Sequence, residues 1–216
     1  VDPNPVNGIL RAYSESRATC MIVGWSGPES HWQRHFHLNP GIIDEVLTET
    51  SGQLLVVRLT RPLSVIEQII LVLPPLIHAE PGFHELIADC KRLTKGIGAS
   101  MLLLTQAPLS TELQKAITAL GAKCPLQIDA VGDALQERID AEVDSRTLLC
   151  IGGCREGTIS WNGAWHRWTT SVAHRHPSLS IAVVYPRVGQ RPVRAQIAER
   201  GAGADILQRA GILLAQ

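Results

Sequence analysis

TLLCIGGCREGTISW at residues 147–161, a helix-length segment, and LSIAVVYP at 179–186 nearly repeat an earlier part of the chain. The earlier part is TCMIVGWSG at 19–27, a helix-length segment, and GQLLVVRL at 52–59. Each copy reads as a buried strand, a Gly-rich turn, a helix and a second buried strand. The copies lie about 126–128 residues apart, and a supersecondary unit repeated at a fixed offset constrains architecture more than any single propensity. The repeat implies the end of one α/β unit followed by the whole of a second.

Working outward, QIILVL at 68–73 is an unbroken apolar run stopped by Pro74-Pro75, because proline cannot donate to a strand ladder. Residues 81–95 place Phe83, Leu86, Ile87, Cys90 and Leu93 on one helical face, with Gly96 and Gly98 as the stop. ASMLLLT at 99–105 predicts the next strand, 110–120 a helix ending at Gly121, 124–131 a strand and 133–143 a helix. The repeat then supplies a strand at 147–152, a helix around 163–173 and a strand at 179–185. Upstream, Asn7 is placed to cap a helix over 8–17. A strand at 19–24 follows, then a helix opened by Pro40 with Ile42, Ile43, Val46 and Leu47 at helical period, then a strand at 53–59. Uniformly apolar strands alternating with helices predict an α/β, doubly wound parallel sheet covered on both faces. Residues 1–60 are then the C-terminal part of a first unit and 61–186 a complete second one. Residues 187–216 form a tail in which 192–200 and 205–214 have helical character.

The bulk numbers exclude several function classes. Among 216 residues, 20 are basic and 20 acidic, so the net charge is zero. The clustered, uncompensated Lys and Arg of a nucleic-acid surface are not there. Hydrophobic residues at 45% and charged ones at 19% describe a folded chain. The best apolar run, 69–73, is far short of the ~18 residues that read as a membrane span, so no direct membrane insertion is expected. No secretory leader is visible. Five cysteines, an odd number, with Cys20, Cys124 and Cys150 in or beside strands, point to buried reduced thiols and a cytoplasmic location.

Short motifs in a fixed order add a family resemblance. They are Asn7-Gly8-Ile9-Leu10-Arg11, Ile22-Val23-Gly24-Trp25-Ser26-Gly27, Pro74-Pro75, Glu80-Pro81-Gly82-Phe83 and the later turn from Arg155 to Trp161. The chain to Pro186 resembles the universal stress protein domain. It is most similar to the tandem domains of that kind in the cytosolic C-terminal part of bacterial, cyanobacterial-type sodium or potassium/proton antiporters. The resemblance implies a Rossmann-like fold that begins at the third helix of a first domain. It also implies dimerisation through the last strand, 53–59 or 179–185, and an adenine nucleotide (ATP or AMP) held at a G-x2-G-x9-G-[S/T] turn.

Gly24, Ser26, Gly27 and Gly41 are the residues that this pattern selects for cofactor binding. Glycines after a buried strand let backbone amides approach a phosphate, and a following helix N-terminus adds donors. Only Gly24-x2-Gly27 fits, however. Nine residues beyond Gly27 stand His37-Leu38, and the next glycine is Gly41. The strand-end Asp that holds adenine or ribose in the family is replaced in the second unit by Pro74-Pro75. The same glycines also serve as plain turn chemistry.

A second candidate, from Gly152 to Ser160, can cradle an anion with Arg155 as a charge-assisted donor. Against it, Trp161, Trp165 and Trp168 follow at near-helical spacing, which suits core or interface packing. His31, His35 and His37 have partial zinc spacing without a completing Cys or carboxylate, and read as a solvated loop. Cys150 and Cys154 stand four apart across a turn, which is not a C-x-x-C redox motif. Asp44-Glu45 and the pair Glu85 and Asp89 lie on amphipathic helices, so the carboxylates belong to solvated faces. No catalytic or metal-binding constellation converges, so an enzyme is not expected. The expected function is a cytosolic regulatory domain of a monovalent cation/proton antiporter, a homodimer coupled to the parent's transmembrane domain. The alternative is a soluble universal stress protein that binds ATP or AMP.

Overall fold

The computed structural model describes residues 5–25 and 40–189. The apolar runs pair into a single sheet of seven strands: β1 (Cys20–Gly24), β2 (Gln53–Arg58), β3 (Gln68–Leu73), β4 (Ser100–Thr105), β5 (Leu126–Ala130), β6 (Thr147–Gly152) and β7 (Ser180–Tyr185). Their spatial order is β1-β2-β7-β6-β3-β4-β5. The helices are α1 (Pro5–Glu15), α2 (Pro40–Glu49), α3 (Phe83–Ile97), α4 (Thr111–Ala119), α5 (Leu135–Glu142) and α6 (Gly163–Arg175). The α/β doubly wound architecture is as the repeat implies.

Period-two alternation distributes the strand side chains to two faces. Ile69, Leu71 and Leu73 of β3 pack with Phe83, Leu86 and Ile87 of α3 and with Ile117 of α4. Ile70 and Val72 point the other way, onto Leu135 and Ile139 of α5 and onto Trp165 and Val172 of α6. Both faces of the central strand are therefore dry, which is why its sequence does not alternate in polarity.

Five of the six strand pairings are parallel; β2 and β7 pair antiparallel, with Leu54 opposite Tyr185 and Arg58 opposite Ile181. This junction joins the two copies of the repeat through their equivalent last strands. The segments 53–59 and 179–185, expected to pair with a second chain, pair here with each other. Each then has strands on both sides, β1 and β7 for β2 and β2 and β6 for β7. Val6, Val46, Leu54, Val56, Val183 and Tyr185 form a third apolar cluster over the junction.

Local differences have local causes. α1 begins at Pro5, upstream of the expected cap at Asn7, because proline's fixed φ and missing N–H suit a first turn. α3 runs through Gly96, and only Gly98, in the left-handed region at φ 74°, ends it. Asn162 caps α6 by accepting from the N–H groups of Ala164 and Trp165. The helical character expected at 192–200 and 205–214 lies outside the described residues.

Val183, 6% exposed, faces Val56 across the junction. Val183→Asp buries a carboxylate among apolar neighbours and should cost about 3–5 kcal/mol. The fall in urea midpoint of the intact chain measures it.

Candidate functional site

In a doubly wound sheet the ligand crevice lies outside the carboxyl ends of the strands where the connections diverge, here between β3 and β6. That place is filled. A Cβ added to Gly152 would lie 2.7 Å from Pro74 Cδ and 2.8 Å from Ile77 Cδ1. At Gly153 it would lie 2.5 Å from the Tyr185 ring. These glycines admit protein atoms rather than a phosphate. Pro74, at the end of β3, thus helps close this crevice.

Gly24 ends β1 at the outer side of the sheet, and Gly41 stands in the first turn of α2. A Cβ on either meets nothing within 4 Å, so packing requires neither glycine. Ser26 and Gly27 lie outside the described residues, as do His31, His35 and His37.

Arg155, expected as an anion donor, is spent elsewhere. It is 5% exposed, and its Nη1 donates to the carbonyls of Leu47 (2.9 Å) and Thr50 while Nη2 donates to Gly52. Those carbonyls end α2 and the turn beyond it, so the guanidinium caps the negative end of that helix. Arg58 does the reverse from the first unit. Its Nη1 and Nη2 donate to Ala173 and its Nη2 to His176 (2.7 Å), at the end of α6. Lys91 caps α4 through Ile117 (3.1 Å) and Thr118 (2.7 Å). Burial lowers the pKa of both arginines.

The tryptophans are chiefly structural. Trp165 donates to the Gly152 carbonyl at 2.8 Å, Trp168 to Gln136 at 3.0 Å, and the two rings lie 4.6 Å apart. Cys150 and Cys154 are free, and it is Cys90 that meets Cys150. The hydrogen bond to Cys150, then burial, push the Cys90 thiol well up, and burial pushes Cys154 to about 11. Neither is an activated thiolate. Glu85 pairs with Arg187 at 3.0 Å, Asp89 with Arg92, and His176 with Asp140 at 2.8 Å. No group of three or more His, Cys, Asp or Glu could hold a metal ion among the described residues, and no described helix is long and apolar enough to cross a membrane.

A cleft of about 1120 Å³ lies beside the β2–β7 junction, bounded by the end of α2, the turn after β6 and the segment after β7. Tyr185 and Glu80 are lining residues, 8% and 6% exposed, with Arg155 beside them. Burial pushes the Tyr185 phenol up to about 12, so it stays protonated. Glu80 Oε1 accepts from the Ser160 N–H at 2.9 Å. Trp161, 38% exposed and 5.9 Å from the His166 ring, forms one wall. Sequence reading missed Glu80 as a site residue, although Glu80-Pro81-Gly82-Phe83 was already a motif. Its burial depends on the distant Ser160.

No protein-family model matches the chain, and no curated protein matches it. Among solved structures it is similar to a universal stress protein from Archaeoglobus fulgidus DSM 4304, with a TM-score of 0.52 and 14% identity. The match covers 87% of this chain and 66% of that one. It establishes the fold as the Rossmann-like α/β arrangement of a universal stress protein.

Gly152→Val forces a side chain against the Pro74 ring and should destabilise by about 1–3 kcal/mol, read by thermal and urea unfolding. Arg155→Ala strips three carbonyls of a buried charged donor. It should cost about 2–4 kcal/mol by the same measurement, with hydrogen exchange accelerated first in the last turn of α2.

Proposed function

We propose that this chain is a regulatory module acting by binding rather than by catalysis, and that it serves on the cytosolic side of a monovalent cation/proton antiporter. The observation that carries the reading is the seam. β2 and β7 join the two repeated segments in one sheet, and Arg58 and Arg155 each cap a helix across that junction. A body so joined responds as a whole, and a ligand that prefers one arrangement of the seam biases that arrangement. The antiporter context rests on the Asn7–Arg11, Ile22–Gly27 and Glu80–Phe83 motifs, with the parent's transmembrane domain as partner. A homodimer remains part of the proposal and would use surfaces other than β2 and β7, such as the outer strands β1 and β5.

The second reading is a soluble stress protein that binds ATP or AMP through Gly24, Ser26, Gly27 and Gly41. A Cβ added at Gly24 meets no described atom, which favours it. Gly24→Val is the probe, since a Cβ added there meets no described atom within 4 Å.

Calorimetric titration with ATP, ADP and AMP, with and without magnesium, separates the two. The regulatory reading expects no saturable heat at millimolar nucleotide. Saturable heat lost in Gly24→Val establishes the nucleotide reading instead. The antiporter context is tested by cation/proton exchange in everted vesicles, comparing the parent with and without residues 1–216. A reading frame with no hydrophobic spans upstream of Val1 would sink it.

A further inference from the structure

The cleft across the seam has a composition that selects its ligand. Asp44 and Glu49 on α2 and Glu156 on the opposite turn form an acidic rim, exposed to solvent. None of the three makes an ion pair among the described residues. Glu80, more than nine-tenths buried, adds a fourth carboxylate. The hydrogen bond its carboxylate accepts among the described residues is from the neutral Ser160 N–H, and although its charge acts on Arg155 the two form no ion pair. The nearby positive charge, Arg155, is turned onto the carbonyls at the end of α2. Four carboxylates against one committed guanidinium repel phosphates and attract cations.

An acidic rim alone would be an ordinary solvated face. The independent observation is Tyr185. Tyr185 is 8% exposed, yet its hydroxyl makes no hydrogen bond to another described residue. A buried phenol ordinarily finds one. Among the described residues, the side-chain atoms that are both sealed from solvent and unpartnered are Nε of Arg58 and Nε of Arg155. Tyr185 lines the cleft, which places its unbonded hydroxyl to accept from a donor on a ligand there. Trp161 adds an exposed aromatic wall, a surface that attracts cations through its π face.

Size sets the class. A volume of about 1120 Å³ suits a small molecule rather than an ion cage, and the donors do not cluster as a metal site. We propose that the cleft between α2 and the β6–α6 turn binds a small organic cation bearing an ammonium or guanidinium group, held by Glu80, Tyr185 and the acidic rim. The proposal stands on the cleft alone and does not depend on the transporter reading.

The test is isothermal titration of the whole chain with agmatine, putrescine and spermidine, against KCl and NaCl at matched ionic strength. Saturable binding of at least one amine, absent with the salts, is expected. Glu80→Gln keeps an acceptor for the Ser160 N–H while removing the charge, and Tyr185→Phe removes only the hydroxyl. Each should weaken binding about tenfold, whereas Glu112→Gln on α4, outside the cleft, should leave it unchanged. Asp44→Asn, on the solvent-exposed rim, gives a third reading that folding cannot confound and should weaken binding severalfold. No saturable amine binding would overturn the proposal. So would binding that all three cleft variants leave intact, or heat that the inorganic salts reproduce.

Discussion

The antiparallel pairing of β2 with β7 is the constraint on which the other features depend. Both strands are the last of their units, and each would otherwise present an apolar edge with unpaired amides and carbonyls, an invitation to aggregation. Pairing them within the chain satisfies both edges at once and sets the register of everything above them. Leu54 opposite Tyr185 brings the end of α2 beside the turn after β6. Arg58 opposite Ile181 brings the end of β2 beside the end of α6. The cleft and both arginine caps follow from that register; a shift by one residue would turn every one of these side chains to the wrong face.

The arginines show how the chain manages buried charge. A guanidinium taken from water needs compensation, and a helix C-terminus offers it through carbonyls with no intrahelical partner. Each element thus supplies what the other lacks. The match is incomplete, since Nε of Arg58 and of Arg155 both lack an acceptor. Arg58 gains further support from the Trp25 ring, whose centre is 5.1 Å away. Lys91 applies the same solution within the second unit. These cations act through geometry, which explains a net-neutral chain that still buries three of them.

The fold was legible because it is written in patterns local to each element. Unbroken apolar runs such as QIILVL, the Pro74-Pro75 stop and the repeat offset follow from strand and turn physics and need no partner. What was not legible was what crosses between the copies. Arg155 in a Gly-rich turn looks like an anion donor until α2 stands beside it, and its partners are more than a hundred positions away in sequence. Glu80 and Tyr185 are ordinary residues of their own segments, and only the seam makes neighbours of them. The sequence marks 53–59 and 179–185 as strands in need of a partner but does not say where that partner lies, and in this chain the two pair with each other.

The position of the open volume bears on function more than any single residue does. In a doubly wound fold the natural place for a ligand is the point where connections diverge, and here Pro74 and Ile77 lie against Gly152 at that point. Gly152 and Gly153, in the turn that could have cradled an anion, serve close packing instead. Free volume lies instead at the seam, a place that neither unit forms alone. A molecule there touches α2 from one unit and the β6–α6 turn from the other, so its binding energy is coupled to how the units sit together. In the filled crevice, binding would have been a property of one unit. At the seam it involves α2 and the β6–α6 turn together, and the proposed regulatory role rests on that coupling.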